Sequence, residues 1–135
     1  MLSNRSVPPC TVIAVLRYPD PGVAAEWLSK AFGFTVRLRI ANHRIQMNAG
    51  DGCFVIAEGE GAADNATSLM VRIEDAESHC ERARSHGARI LLEPTDHMYG
   101  ERQYNVEDFA GHRWTFTQSI ADVDPREWGG EPVNL

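Results

Sequence analysis

The sequence has no long apolar run and no basic run, and each absence excludes a class of partner. No apolar stretch approaches the ~20 residues that a membrane-spanning helix needs, so we expect no membrane segment. The 13 Lys and Arg residues are outnumbered by 19 Asp and Glu residues, which gives a net charge of −6. Nucleic-acid binding normally needs a basic patch that faces the phosphates, so we expect no nucleic-acid partner.

Cysteine is also scarce. Cys10, Cys53 and Cys80 are widely spaced and form no CxxC pair, so they match neither a disulfide framework nor a zinc motif. The first nine residues contain one Arg and two Pro and lack the apolar core of a signal peptide. Together these features predict a cytoplasmic protein with reduced cysteines.

The remaining composition is that of an ordinary globular protein. Apolar residues make up 43% of the chain and charged residues 24%, which is typical of folded domains. A length of 135 residues corresponds to one domain. We therefore predict a single domain over residues 1–135.

The chain contains the same order of predicted elements twice. Module one spans residues 10–58 and begins with an apolar, β-branched strand at 10–17. A helix follows, which Asp20 can cap and Gly33 can end. The three strands predicted after this helix are residues 34–40, 43–49 and 52–58.

Module two spans residues 67–118 and repeats this order, with a helix between Asp75 and Gly87. Its predicted strands are residues 67–73, 88–92, 102–107 and 112–118. The two helix starts lie 55 residues apart and the two helix ends 54. Such close agreement in spacing indicates an internal repeat.

Each module is a βαβββ unit, and one apolar face of its sheet must be buried against another element. We therefore predict an α+β fold in which the two modules form a curved eight-stranded mixed sheet with the helices outside. The strands would line an open groove. Residues 119–135 are acidic and are predicted to form a loose C-terminal tail that Trp128 docks in part.

Two segments resemble one known family. Residues 17–34 (RYPDPGVAAEWLSKAFGF) and 106–116 (VEDFAGHRWTF) are similar to the glyoxalase, bleomycin-resistance and extradiol-dioxygenase superfamily, the vicinal oxygen chelate fold. The resemblance covers about residues 10–118. It implies the paired βαβββ architecture. The metal enzymes of this family have one metal ligand on each of the first, fourth, fifth and eighth strands, so the resemblance also implies four positions to check.

Registration with that family places its metal-ligand positions at Ile13, Ala57, Ser68 and Thr115. The family uses His, Gln or Glu there, whereas these four side chains are apolar or carry only a weak neutral hydroxyl. We therefore expect no metal and no cofactor, and we assign no catalytic residue. The five histidines are expected to be solvated or capping residues, and His112 is expected to order its turn through a backbone hydrogen bond.

Alternation along the strands directs every second side chain toward the predicted groove. A wall of Met, Val, Tyr, Gln and Arg suits an organic ligand with an anionic or hydrogen-bonding group. Trp27 and Trp114 are predicted to lie in the core instead. The predicted ligand-binding residues are Arg17, Gln46, Ser68, Arg72, Arg102, Tyr104 and Thr115.

Three functions are compatible with this pattern. The first is metal-independent binding of a small organic molecule, as in resistance proteins of this superfamily that sequester a drug without altering it. The second is a metal-dependent lyase, isomerase or dioxygenase of the same superfamily, and the third is a structural or regulatory dimer module with a vestigial groove. Two-module chains of this family commonly pair, so we also expect a homodimer.

Overall fold

The computed structural model describes residues 2–61 and 66–135 of the chain. Module one consists of strand β1 (Ala14–Tyr18), helix α1 (Pro21–Phe32) and strands β2 (Thr35–Ile40), β3 (Arg44–Ala49) and β4 (Gly52–Glu58). Module two consists of strand β5 (Ser68–Arg72), helix α2 (Ala76–Ser85) and strands β6 (Arg89–His97), β7 (Glu101–Glu107) and β8 (Arg113–Ser119). The predicted α+β class with two βαβββ modules is confirmed.

The eight strands are arranged as two sheets of four, one from each module. Their strand orders are β1-β4-β3-β2 and β5-β8-β7-β6. In both sheets the first strand runs parallel to the last, and the other neighbours are antiparallel. The registers also correspond, since Ala57 lies opposite Arg17 in module one and Thr117 lies opposite Arg72 in module two.

The local signals at the helix ends behave as predicted. The side chain of Asp20 accepts a hydrogen bond from the Val23 N–H at 3.2 Å. The side chain of Asp75 accepts from two N–H groups at the start of α2. Gly33 ends α1 with φ +82°, a left-handed conformation that side chains with a Cβ adopt at a cost.

The two helices contact each other and complete each other's C-terminal ends. The His79 Nε2 group donates to the Phe32 carbonyl at 2.9 Å, and the Arg82 Nε group donates to the Lys30 carbonyl at 2.7 Å. In the other direction, the Trp27 Nε1 group donates to the carbonyl of His86, which follows α2, at 2.9 Å. The last carbonyls of a helix have no partner within the helix, so each helix supplies the donors that the other lacks.

Aromatic rings from both modules meet in one core. Phe32 at the end of α1 lies 4.8 Å from Phe116 of β8, and Phe54 of β4 lies 5.5 Å from Trp114 of β8, between ring centroids. The predicted core position of Trp114 is confirmed, whereas Trp27 is only half-buried and packs on Phe32 and Phe109. Since the helix sides of both sheets meet in this core, the opposite sides of the two sheets face away from it.

The prediction of three reduced cysteines is wrong. Cys10 and Cys53 form a disulfide with a Cα–Cα distance of 6.5 Å, and Cys80 is free and buried. The two bonded cysteines are 43 residues apart in sequence, so only the folded chain brings the N-terminal segment onto β4. No helix among the described residues is long and apolar enough to cross a membrane.

Strand β6 extends beyond its predicted limit, and the tail that was predicted to be loose contains one ordered turn. Strand β6 continues through Pro94 to His97, with irregular pairing to β7 after Ile90. In the tail, Pro125–Trp128 forms a short 3-10 turn, and the Trp128 ring lies 5.4 Å from that of Tyr99.

Candidate functional site

The candidate binding residues lie on the side of each sheet that faces away from the helices, which we call its outer face. Strand alternation and the register of the ladders define both faces. The outer face of module one comprises Val15, Arg17, Gln46, Cys53, Val55 and Ala57. The outer face of module two comprises Ser68, Met70, Arg72, Gln103, Asn105, Thr115 and Thr117.

Five of the seven predicted ligand-binding residues lie on these faces, divided between the modules. Arg17 and Gln46 lie on the outer face of module one. Ser68, Arg72 and Thr115 lie on that of module two. No hydrogen bond or ion pair between side chains joins the two outer faces within residues 2–61 and 66–135.

The predicted position of Tyr104 in the groove is wrong. Tyr104 pairs with Phe116 on the helix side of the sheet, has 0% exposure, and hydrogen-bonds through its hydroxyl to His79 Nδ1. Val106 shares its parity on β7 and is also fully buried. Tyr104 and the apolar Val106 lie on the same side of β7, so Val106 was the signal in the sequence that this side faces the core.

Arg102 also lies on the helix side of β7, contrary to its predicted place in the groove. It is partly exposed there and forms an ion pair with Asp96 across the β6–β7 ladder, with Nε and Oδ1 2.6 Å apart. The β7 residues on the outer face are instead Gln103 and Asn105, which the sequence reasoning did not select.

A chain of hydrogen bonds organises the outer face of module two. The Tyr99 hydroxyl donates to Gln103 Oε1 at 3.1 Å, and Gln103 Nε2 donates to the Thr117 hydroxyl at 3.1 Å. Thr117 in turn donates to Glu101 Oε1 at 2.7 Å. This series of hydrogen bonds ends at the Glu101 carboxylate, which can only accept, so the donor and acceptor in each bond are fixed.

The carboxylate of Glu101 is held in its charged form. Burial opposes the charge, but hydrogen bonds from Thr117 and Ser119 and the nearby positive charge of Arg72 keep the pKa of Glu101 below its usual value. The side chain of Arg72 makes no hydrogen bond or ion pair with the residues that the structure describes, and its charge acts on Glu101 only through space. Its guanidinium can therefore accept an anionic or carbonyl group from a ligand.

A cleft of about 320 Å³ opens beside Arg72, between the two modules. Strand β1, the β3–β4 turn and strand β5 form its walls, and Met70 at its edge is 65% exposed. The lining is largely apolar. It includes Val12, Ala14, Phe54, Leu69, Val71 and Trp114.

The chain's own N-terminal segment covers part of the outer face of module one, whereas Val15 on the same face stays 46% exposed. Gln46, Val55 and Ala57 are each only 4% exposed, although no helix packs on this side. Gln46 Nε2 donates to the Ser6 carbonyl at 2.8 Å, and the Cys10–Cys53 disulfide fixes the segment to β4.

The metal-ligand set of the resembled family does not fit these residues. Ile13, Ala57, Ser68 and Thr115 supply two apolar side chains and two neutral hydroxyls, whereas divalent metals prefer imidazole, carboxylate or thiolate donors. The register identifies Thr117 rather than Thr115 as the counterpart of Ala57, which adds no better donor. Within residues 2–61 and 66–135, no group of three His, Cys, Asp or Glu side chains could hold a metal ion.

The string DFAGH at residues 108–112 has a structural role. Buried Asp108 accepts hydrogen bonds from the Tyr18 hydroxyl at 2.6 Å and from Trp114 Nε1 at 3.1 Å. Its other oxygen accepts from two N–H groups of its own turn. Burial and the carboxylate of Asp108 strongly raise the pKa of Tyr18. This turn therefore joins β1 of module one to β8 of module two.

His112 makes the backbone hydrogen bond that was expected of it, but with a different partner. Its Nε2 group donates to the Arg17 carbonyl at 2.8 Å. The bond therefore links the β7–β8 turn to β1 instead of closing the turn on itself.

Comparisons with known proteins agree with this architecture. A family model, Glyoxalase/Bleomycin resistance protein/Dioxygenase superfamily, matches residues 11–116. TioX from Micromonospora sp. ML1 is similar at 28% identity and a TM-score of 0.69, over 85% of this chain and 100% of that one. No curated protein matches the chain.

Two further solved structures share the fold at lower identity. The fosfomycin resistance protein FosX from Listeria monocytogenes has 14% identity and a TM-score of 0.70, over 82% of this chain and 90% of that one. A glyoxalase/bleomycin resistance protein/dioxygenase family enzyme from Burkholderia phytofirmans PsJN has 12% identity and a TM-score of 0.70, over 80% and 97%.

Proposed function

Because the chain belongs to the glyoxalase/bleomycin resistance protein/dioxygenase superfamily, we propose that it binds a small organic molecule without a metal and without altering it. The observation that carries this proposal is the cleft between the modules, which is apolar along most of its wall and has the unpaired Arg72 beside it. A volume of about 320 Å³ lies at the lower end of the roughly 300–1,000 Å³ typical of small-molecule sites.

The chemistry of the cleft suggests the class of ligand. Met70 and Leu69 offer apolar contact, and Arg72 offers a cation that can form two hydrogen bonds with a carboxylate. Thr117 is not free to donate, since its hydroxyl already bonds to Glu101. The ligand is therefore a compact apolar molecule with one anionic or carbonyl group.

Metal independence rests on the four family positions, which carry no competent ligand. Metal-dependent lyase, isomerase or dioxygenase activity would need donors that these positions lack. Elemental analysis of the purified protein tests this point. We expect less than stoichiometric zinc, nickel, manganese or iron, and a stoichiometric metal removed by a chelator would contradict it.

We also propose that the 135 residues form one domain and that two chains pair. Strands β1 and β5 each have only one hydrogen-bonded neighbour, and uncovered sheet edges tend to find partners. Light scattering should give twice the chain mass of 15.0 kDa.

The absence of a nucleic-acid partner and the cytoplasmic location stay predictions. The disulfide gives the location no support, because such bonds persist mainly in oxidising compartments.

Binding in the cleft can be tested with matched arginine variants. A thermal-shift screen of small carboxylates and carbonyl-bearing heterocycles would supply a probe, and calorimetry would measure its affinity. We expect Arg72→Met to weaken binding by about 1–3 kcal/mol, because the anion loses its charged partner. Arg89→Met changes an exposed arginine on β6 and should bind as the wild type does. Equal affinity of both variants for the probe would contradict the proposed site.

A further inference from the structure

The N-terminal segment of residues 5–10, which we call the strap, occupies the outer face of module one in the manner of a bound peptide. Arg37 of β2 donates through Nη2 to the Arg5 carbonyl at 3.1 Å, and Gln46 of β3 donates to the Ser6 carbonyl at 2.8 Å. Pro8 is buried. Two successive main-chain carbonyls and one proline ring therefore fill a surface that already carries matching donors.

The donors on this surface are held in place by each other. Arg37 Nη1 donates to Gln46 Oε1, which leaves the Gln46 amide group directed toward the strap. Arg37 lies at the irregularity in the β2–β3 ladder, between Val36 and Leu38. Because Val36 packs against the core, strand alternation places the Arg37 side chain on the outer face, where it contacts Gln46.

The non-covalent hold on the strap is small. Its side chains at residues 5, 6 and 7 are exposed, and only Pro8 is buried. Hydrogen bonds to two carbonyls contribute little net free energy, because water replaces them when the strap leaves. Ordering several backbone residues has a larger entropic cost. The Cys10–Cys53 disulfide is therefore the main restraint on the strap.

We propose that the strap-covered part of the outer face of module one is a second binding site, which adjoins the cleft at Cys53, takes a peptide-like ligand and is uncovered by reduction of the Cys10–Cys53 disulfide. A dithiol supplies two electrons and two protons; its thiolate attacks one sulfur, and its second thiol resolves the mixed disulfide. The products are two cysteine thiols and the oxidised dithiol. The ligand class is a chain with two adjacent amide carbonyls and a small apolar ring, which are the groups that the strap places there.

The first experiment measures the strap itself in the full-length protein. Purified without reductant, Cys10 and Cys53 should resist alkylation, and a dithiol should make both reactive. The amides of Ser6 and Val7 bond to Asn4, and their hydrogen exchange should then accelerate at least about tenfold, since the disulfide no longer limits how far the strap can open. The amides of α1 serve as the internal control and should not change. Free thiols before reduction, or equal exchange of the strap in both forms, would overturn the proposal.

The second experiment asks whether the uncovered face recognises a peptide. In Cys10→Ser, Cys53 is free to trap the synthetic peptide Asn-Arg-Ser-Val-Pro-Pro-Cys as a mixed disulfide in a thiol buffer, with intact mass as the readout. We expect this peptide to be trapped about five- to tenfold more than a scrambled peptide ending in Cys, and Gln46→Ala in the same background to remove most of that preference.

Equal trapping of the two peptides would overturn the recognition part of the proposal. Arg89→Ala in the Cys10→Ser background should leave the trapping unchanged, because Arg89 is exposed on β6, and binding of the carboxylate probe in the cleft is measured separately in the oxidised wild type. A failure at this site is therefore distinguishable from a failure of binding in the cleft. If Cys10→Ser folds poorly, the dithiol-reduced wild type offers the same measurement at Cys53, with the tethered strap as competitor.

Discussion

The two modules share their helix-side pattern but differ on their outer faces. Opposite Arg17, module one carries Ala57, and opposite Arg72, module two carries Thr117. The strap covers part of the first face, whereas the second holds a row of hydrogen-bonded polar side chains that ends at Glu101. The helix sides must fill one common core and are therefore constrained by packing. The outer faces carry no such constraint, which leaves them free to acquire different chemistry.

The modules also differ in the turn before their last strand. Strands β3 and β4 are joined by a two-residue turn at Gly50 and Asp51. Strands β7 and β8 are joined by residues 108–112, which contain the buried Asp108. The family-like segment at residues 108–112 therefore occurs in module two alone, and its Asp108 links that module to Tyr18 of module one by a hydrogen bond.

The largest expected effect comes from breaking this asymmetric turn. Asp108→Ala would leave the Tyr18 hydroxyl and the Trp114 N–H buried without their acceptor. We expect the free energy of unfolding in urea to fall by about 3–4 kcal/mol. Asp51→Ala removes the exposed carboxylate of the corresponding turn and should change stability by less than about 0.5 kcal/mol. Similar losses in both variants would refute the distinction between the turns.

A smaller effect is expected at His79, which the repeat aligns with Ala24 of α1, 55 residues earlier. His79 Nε2 donates to the Phe32 carbonyl, so its Nδ1 accepts from Tyr104 in the neutral ring. His79→Ala should cost about 2 kcal/mol at neutral pH, because both partners lose their hydrogen bonds. Chemical denaturation measures this loss.

The same residue makes stability depend on pH. Burial lowers the pKa of His79, which the hydrogen bond to Phe32 only partly offsets, and the charge of Arg82 lowers it further. A depressed pKa in the folded state means that stability is present above the unfolded value of about 6.5 and is lost as the pH falls below it. His79→Gln should flatten this acid dependence, whereas the exposed His43→Gln should keep it. An unchanged slope in His79→Gln would contradict the assignment.

The smallest expected effect is on the polar chain of module two. Thr117→Val removes the hydroxyl that joins Gln103 to Glu101 and makes this face resemble module one. We expect a loss of about 1 kcal/mol in the free energy of unfolding. Ala57→Gly, at the corresponding position of module one, removes a buried methyl group and lowers β-strand propensity without touching a hydrogen bond, and it provides the comparison. A gain in stability in Thr117→Val would show that the polar chain carries a net cost.

Several features were predictable because neighbouring residues determine them. Asp20 and Asp75 cap the helices as their sequence context indicated, and the strands follow the apolar, β-branched runs. The position of Tyr104 could have been predicted too, since it shares its parity with the apolar Val106. Tyr104 was predicted to line the groove because its ring carries a hydroxyl. A buried hydroxyl can also find its hydrogen-bond partner within the core, and here that partner is His79.

By itself the sequence determined the two βαβββ modules, their helix limits and the absence of metal-ligand side chains at the family positions. Only the tertiary structure decided that Cys10 bonds to Cys53, that the strap covers module one and that Arg72 stays unpaired beside the cleft. Helix caps, turns and strand alternation depend on residues that are close together in the sequence, so the local sequence predicts them. A disulfide across 43 residues or a carbonyl bound by a distant strand depends on where the whole chain places its parts, which no local pattern encodes.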